Sequence, residues 1–183
     1  MRSIAFGIAL ITMVSMLMLG GVFAEDSKWE DEYGAYDASS AGLTGKFEYE
    51  MFEGTATIIL PLEYPLHHTF AGKEKGEWWA WTIEARTSGE DYDTLSVMSV
   101  PGLFQKEIDE SSILADGRSI ETTSGYRAWI KDFTGYDPET GFSLENSHTA
   151  IIDYTNGRYL QVSTSEMSNE TFQEFVNSIK VDL

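Results

Sequence analysis

The sequence contains no cysteine. Without thiols the chain cannot form disulfides, cysteine-based zinc or iron–sulfur sites, or a thiol nucleophile. The lipid anchor of bacterial lipoproteins is excluded as well, because that anchor needs a cysteine at the start of the mature chain. A folded domain must therefore be held by its hydrophobic core alone, for which 42% hydrophobic and 13% aromatic residues are sufficient.

Basic residues are also few. The chain has 12 lysines and arginines against 30 aspartates and glutamates, a formal net charge of −18 at pH 7. Such a charge repels phosphate backbones and anionic membrane surfaces, so we expect no nucleic-acid partner. It attracts cations, calcium among them, although solvated surface charge is the simpler explanation of the composition.

The N-terminus has the pattern of an export signal. Arg2 precedes an uncharged apolar run that ends in small residues at Ala24, and acidic Glu25 follows. This predicts a signal peptide over residues 1–24. The alternative is an uncleaved anchor, because about 20 apolar residues span a bilayer. Either form sends the rest of the chain outward, so we expect a secreted or extracytoplasmic protein, with membrane contact only through this segment if it is retained.

Two regions follow the N-terminal segment. Residues 25–45 are acidic and poor in aliphatic side chains, which predicts a flexible lead, and residues 46–183 are expected to form a single domain. Alternation in KFEYEMF indicates a half-buried strand, and TATIILPLEYP indicates a more buried one limited by its proline. We expect YPLHHTFAGKEKG to form a loop and turn.

GEWWAWTIEAR, residues 76–86, alternates as a strand does. One face is uniformly apolar and is expected to be buried, with Trp79, Trp81, Ile83 and Ala85. The other face holds Trp78, Ala80, Thr82, Glu84 and Arg86. Because Trp78 shares its face with a carboxylate and a guanidinium, we treat Trp78, Glu84 and Arg86 as candidate ligand-binding residues.

The middle of the chain predicts more strands and one helix. TLSVMSV, RSIETT and YRAWIKDF are strand candidates, and a short helix is expected from about Gly102 to Leu114. TGYDPETGFSLEN is expected to be a long polar loop.

The C-terminal region carries the strongest local signals. HTAIIDYT and RYLQVSTS flank Asn156-Gly157, which predicts a β-hairpin with a type I′ turn. Ser168 can cap a final helix that has Glu170 in its first turn and apolar residues at helical spacing, namely Phe172, Phe175, Val176 and Ile179. The expected fold class is α+β, an antiparallel sheet flanked by this C-terminal helix and one or more further helices.

The order of three stretches resembles the PsbP-like family of exported and photosystem-associated proteins. These are TATIILPLEYP, SGYRAWIKD and the terminal FQEFVNSIKV, so the resemblance spans roughly residues 46–183. It implies a PsbP-like sandwich and a mostly non-catalytic role in assembly, stabilisation or binding. The resemblance does not identify any functional residue in this chain.

Three histidines are available for a ligand or metal site. His67 and His68 are candidate ligand-binding residues, but neighbours in an extended strand point in opposite directions. A metal role would therefore need a third group, for which His148 is the candidate. The alternative is that His67 and His68 are exposed loop histidines.

Clustered carboxylates offer oxygen ligands for a hard cation such as calcium. Glu90, Asp91 and Asp93 are the candidate metal ligands, and Asp137 and Glu139 form a second group of the same kind. Neither group has the full calcium-loop spacing, so solvated turn residues are the alternative, and no cofactor other than calcium is suggested.

Asn169-Glu170-Thr171 is an N-glycosylation sequon, which makes Asn169 a candidate modification site in an exported chain.

No catalytic constellation is evident in the sequence. There is no Gly-x-Ser-x-Gly elbow, and Ser124 has no assignable base. Whether the protein is an enzyme stays open, with a non-catalytic role favoured. The sequence predicts an exported binding or assembly-type domain for an unknown protein or small ligand, and the alternative is an exported hydrolase or a calcium-stabilised module.

Overall fold

The computed structural model describes residues 34–51, 54–74, 77–89, 92–100, 112–133, 136–137, 142–143, 146–155 and 158–183. Its elements are β1 (Gly34–Asp37), β2 (Gly45–Met51), β3 (Gly54–Leu60), β4 (Leu66–Glu74), β5 (Glu77–Arg86), β6 (Thr94–Val100), α1 (Ser112–Asp116), β7 (Arg118–Glu121), β8 (Arg127–Phe133), β9 (Tyr136–Asp137), β10 (Phe142–Ser143), β11 (Ser147–Asp153), β12 (Tyr159–Thr164), α2 (Asn169–Ser178) and β13 (Lys180–Asp182).

The strands form antiparallel sheets. An eight-stranded large sheet has the order β1-β4-β5-β6-β12-β11-β8-β7, and a three-stranded small sheet has the order β13-β3-β2. The short strands β9 and β10 pair with each other inside the predicted loop 134–146. An α+β fold of antiparallel sheets with a C-terminal helix is therefore confirmed.

The main hydrophobic core lies on one face of the large sheet, here called the inner face. The small sheet and α2 contribute the other side of this core, because Ile58, Phe172 and Val176 join its buried cluster. The inner face supplies fully buried side chains from its central strands, including Ile83, Leu95, Ile130, Ile152 and Val162. Burying each such side chain contributes about 1.5–3 kcal/mol, so this core is the main source of stability.

Helix α2 is placed as the sequence predicts. Ser168 is its N-cap, and the Thr171 backbone N–H donates to the Ser168 Oγ at 3.1 Å. Phe172, Phe175 and Val176 are buried. Ile179 lies just beyond the helix with an extended backbone, and it is still fully buried because the chain turns there into β13.

The predicted hairpin and the predicted middle helix fall partly outside the described residues. β11 and β12 pair from His148↔Thr164 to Asp153↔Tyr159, which confirms the two strands, whereas Asn156-Gly157 itself lies outside the described part. Only the end of the helix expected over 102–114 is described, and there α1 runs to Asp116.

The prediction of a loop at residues 64–76 is wrong for most of its length. β4 occupies Leu66–Glu74 and pairs with both β1 and β5. Its polar and small side chains and an interrupted register remove the apolar alternation that identifies a strand. β1, which lies within the predicted acidic lead, has no alternation to reveal it either.

Candidate functional site

A row of polar residues crosses the face of the large sheet opposite the core, here called the outer face. The register pairs Glu84 with both His68 and Ser96, and continues through Ser163 and Thr149 to Lys131. Directly paired residues of antiparallel strands point to the same face, so these side chains form one line, the polar row.

Hydroxyl groups occupy the middle of the polar row and bond to one another. The hydroxyls of Thr149 and Ser163 lie 3.3 Å apart, and Gln161 Nε2 donates to the Ser163 Oγ at 3.4 Å. The Ser96 hydroxyl donates to the Ser163 carbonyl at 3.5 Å. The ionisable groups of the row therefore lie at its two ends, with His68 and Glu84 on β4 and β5 and Lys131 on β8.

A β-bulge brings two adjacent histidines together at that end. Leu66 pairs with Ala85 and His68 pairs with Glu84, so His67 is an extra residue on β4. Bulges bend the strand and redirect side chains, which removes the strict alternation between faces. The two imidazole rings have centroids 5.0 Å apart at an interplanar angle of 70°. The expectation that His67 and His68 point apart is therefore wrong here.

The expectation that these are exposed loop histidines is also wrong. His68 is 3% exposed and His67 is half-buried, and both belong to β4. A loop was expected because the bulge hides the strand in the sequence pattern.

Glu84 completes a compact group with the two histidines. One potential ligand atom from each of His67, His68 and Glu84 lies within 4.8 Å of the others, and we call these three residues the His–Glu cluster. His68 Nε2 and Glu84 Oε2 are 4.0 Å apart. Within the described part of the chain, this is the one group of three histidine or acidic side chains arranged closely enough to share an ion.

Arg86 orients the carboxylate of Glu84. Its Nε makes a close charge-assisted hydrogen bond to Glu84 Oε1, which leaves Oε2 on the side of His68. The Arg86 guanidinium also lies over the Tyr92 ring, 4.2 Å from the centroid. Contacts on two sides hold the guanidinium, so the direction of Glu84 is set by its neighbours.

The environment keeps both histidines of the cluster neutral at pH 7. Burial, with smaller contributions from the nearby His67 and Arg86, lowers the pKa of His68 to about 4. Burial and Arg86 also lower the pKa of His67, against a smaller opposing effect of Glu84. Glu84 does not reverse this, because its charge is already paired with Arg86.

The remaining residues of β5 follow the predicted alternation where they are described. Ile83 and Ala85 are buried in the core, and Trp81 is half-buried. Thr82 and Glu84 are buried on the opposite face, at 4% and 3% exposure, so that face is not a simple solvent surface. The side chains of Trp78 and Trp79 lie outside the described part.

His148 does not lie with His67 and His68. It pairs with Asp132 across β11 and β8, where its Nδ1 lies 2.8 Å from the Asp132 carboxylate. Its Nε2–H donates to the Met167 carbonyl at 2.7 Å, and its ring stacks on Phe172 with centroids 5.1 Å apart. These contacts attach α2 to the sheet on the inner face, so His148 has a structural role, and Glu84 is the residue that lies beside His67 and His68.

The other candidates are only partly described. Glu90, Asp91 and Glu139 lie outside the described residues, as does the side chain of Asp137. The Asp93 backbone N–H donates to the Thr87 hydroxyl at 2.8 Å, so Asp93 helps close the β5–β6 turn. Calcium binding at this turn stays a prediction.

Two further residues singled out from the sequence have structural contacts. The Ser124 hydroxyl donates to the Ile179 carbonyl at 3.0 Å. Asn169 is exposed at the start of α2, and its side-chain oxygen accepts a hydrogen bond from Arg118 at 3.2 Å. Glycosylation of Asn169 stays a prediction.

Comparison with known proteins adds no assignment, since no family model, curated protein or solved structure matches this chain. Among the described residues, neither helix has the length and apolar character needed to cross a bilayer.

Proposed function

We propose that this chain is an exported, non-catalytic binding domain whose ligand site lies at the β4–β5 end of the polar row. The observation that carries the proposal is the convergence of two imidazoles, a carboxylate and a guanidinium on the outer face, from His67, His68, Glu84 and Arg86. These were candidate binding residues in the sequence, and the bulge explains how they meet.

Folding alone does not account for this group. Burying an ionised carboxylate and a neutral imidazole carries a desolvation penalty, and apolar replacements of buried ion pairs are often neutral or stabilising. The inner-face core already supplies a continuous set of buried aliphatic and aromatic side chains. Ionisable groups kept in a costly environment are typical of binding and catalytic sites.

Three further features support an exported binding role. The N-terminal pattern predicts export, and the net charge of −18 disfavours nucleic acid. The resemblance to PsbP-like proteins implies a mostly non-catalytic family, and we extend the proposal to a PsbP-like sandwich of the large sheet with α2.

A hydrolase is the second candidate, because a hydrolase also needs convergent ionisable groups. A hydrolase would differ from a binding domain in one measurable respect, because it would convert its substrate to product. Hydrolysis of simple chromogenic esters or phosphate esters by wild-type protein, lost in Glu84→Gln, would favour the hydrolase over the binding domain.

The binding proposal is tested by thermal unfolding of the full chain after treatment with a chelator. A panel of metal ions, carboxylates, amines, amino acids and sugars is added singly to wild type, to Glu84→Gln and to Glu48→Gln. The last variant is a matched control, because Glu48 is an exposed carboxylate paired with Lys46 on the small sheet.

We expect at least one ligand class to raise the melting temperature of wild type and of the control but not of Glu84→Gln. A ligand at a hundred times its Kd adds about 2.7 kcal/mol of stability, which is readily measured. Absence of any shift, or equal shifts in all three proteins, would contradict a ligand site at Glu84.

A further inference from the structure

We propose that the His–Glu cluster binds a divalent transition-metal ion of the zinc class, through one imidazole nitrogen each of His67 and His68 and one carboxylate oxygen of Glu84. This inference rests on the proposed binding function and names its ligand. It assigns the ion to the bulge rather than to the acidic turns.

The donor set selects the class of ion. Imidazole nitrogen suits zinc, copper and nickel, whereas calcium and magnesium prefer sites built from oxygen ligands. Two imidazoles and one carboxylate are a set that zinc uses when it keeps its fourth position for water or another ligand.

The observed spacing is close to what such an ion requires. Bonds of about 2.0–2.1 Å in a tetrahedral arrangement place ligand atoms about 3.3 Å apart. His68 Nε2 and Glu84 Oε2 are 4.0 Å apart, and one ligand atom from each of the three residues lies within 4.8 Å of the others. His68 and Glu84 must therefore approach each other by about 0.7 Å, and rotation of the half-buried His67 side chain can bring its own nitrogen to the same ion.

Arg86 has two opposing effects on this site. It holds Oε1 of Glu84, so that Oε2 is directed toward His68. In known metal sites, residues that hydrogen-bond to a ligand orient it in the same way. It also brings a positive charge that repels a cation. The net charge of −18 opposes that repulsion at longer range by attracting cations to the protein.

The bulge explains why adjacent histidines can serve one ion. In a regular strand their side chains would lie on opposite faces of the sheet, and a shared ion would be geometrically excluded. The extra residue at His67 removes that exclusion, and the direct pairing of His68 with Glu84 supplies the third ligand from the next strand.

The test is calorimetric titration of the chelator-treated full chain with Zn²⁺, and separately with Ca²⁺ and Mg²⁺. We expect one Zn²⁺ per chain and no site-specific binding of Ca²⁺ or Mg²⁺ to the cluster. His67→Ala and Glu84→Gln should each weaken Zn²⁺ binding by about tenfold or more. The control Glu48→Gln should bind Zn²⁺ as wild type does.

A second measurement on wild type keeps the proposal falsifiable if a variant fails to fold. Co²⁺ in place of Zn²⁺ should give the intense visible absorption of a four-coordinate site with nitrogen ligands. Weak bands of six-coordinate cobalt, or Zn²⁺ affinity unchanged in both folded variants, would overturn the proposal in favour of scattered surface carboxylates.

The outcome also separates this inference from the proposed function. If Zn²⁺ and its relatives fail to bind while an organic ligand stabilises wild type but not Glu84→Gln, the metal inference falls and the binding function stands. If neither binds at the cluster, both are overturned.

Discussion

Acidification should destabilise the protein through His68. Its folded pKa is about 4 against an ordinary value of 6.5, so the folded chain binds fewer protons there than the unfolded chain. The stabilising effect is complete above pH 6.5 and is lost as the pH falls from 6.5 toward 4. One pKa unit corresponds to about 1.36 kcal/mol, so the loss of stability between pH 7 and pH 5 is at most about 2 kcal/mol. Solvent near the half-buried His67 screens the charges around His68, so we expect a loss of about 1–2 kcal/mol.

The measurement is urea unfolding of chelator-treated wild type and His68→Gln at both pH values. Groups distant from this site titrate equally in both proteins, so the difference in pH dependence reports His68 together with its effect on His67. We expect wild type to lose about 1–2 kcal/mol more than the variant on acidification, whatever the stability of the variant at pH 7. A smaller loss in wild type would show that Glu84 stabilises a protonated His68 and would refute the argument that burial and Arg86 dominate. Equal losses would show a solvated ring.

Three substitutions test the fold around this site, each by denaturant unfolding. Ser168→Ala should reduce stability by about 1 kcal/mol, because it removes the N-cap of α2, and an unchanged midpoint would refute the capping role. Gly54→Ala should destabilise the protein far more than Gly42→Ala, although both glycines have positive φ. An added Cβ at Gly54 would lie 2.2 Å from the Asp182 carbonyl oxygen, whereas an added Cβ at Gly42 meets nothing within 4 Å. Tyr126→Phe should lose about 1–3 kcal/mol, since its hydroxyl bonds to both the carbonyl and the N–H of one β13 residue, and a loss near zero would show that water replaces these bonds.

The sequence was sufficient for the elements whose pattern is local. Alternation of apolar residues predicted β2, β5 and β8, and the capping serine with its apolar spacing predicted α2. In each case one face of the element packs on the core, so the period of the element appears directly in the chain. β4 has no such period, because an extra residue shifts its register, and because polar Thr69 pairs with inner-face Ile83 whereas apolar Phe70 pairs with outer-face Thr82.

The composition of the site was predictable in part, and its assembly was not. His67, His68, Glu84 and Arg86 were all candidates, but the two histidines were expected to point apart, and His148 rather than Glu84 was named as the candidate third group for a metal. Pairing of His68 with Glu84 depends on the register between two strands, a non-local property that the local pattern does not encode. His148 lies on the inner face because its strand alternates with buried Ala150 and Ile152.

The most direct test of a metal site built by the bulge is the anomalous scattering of zinc in a crystal of the full chain. The account predicts one strong peak within bonding distance of imidazole nitrogens of both His67 and His68 and of a Glu84 carboxylate oxygen, with the Glu84–Arg86 contact retained. Ordered zinc at surface carboxylates or at His148, with no zinc bound to the His–Glu cluster, would contradict it.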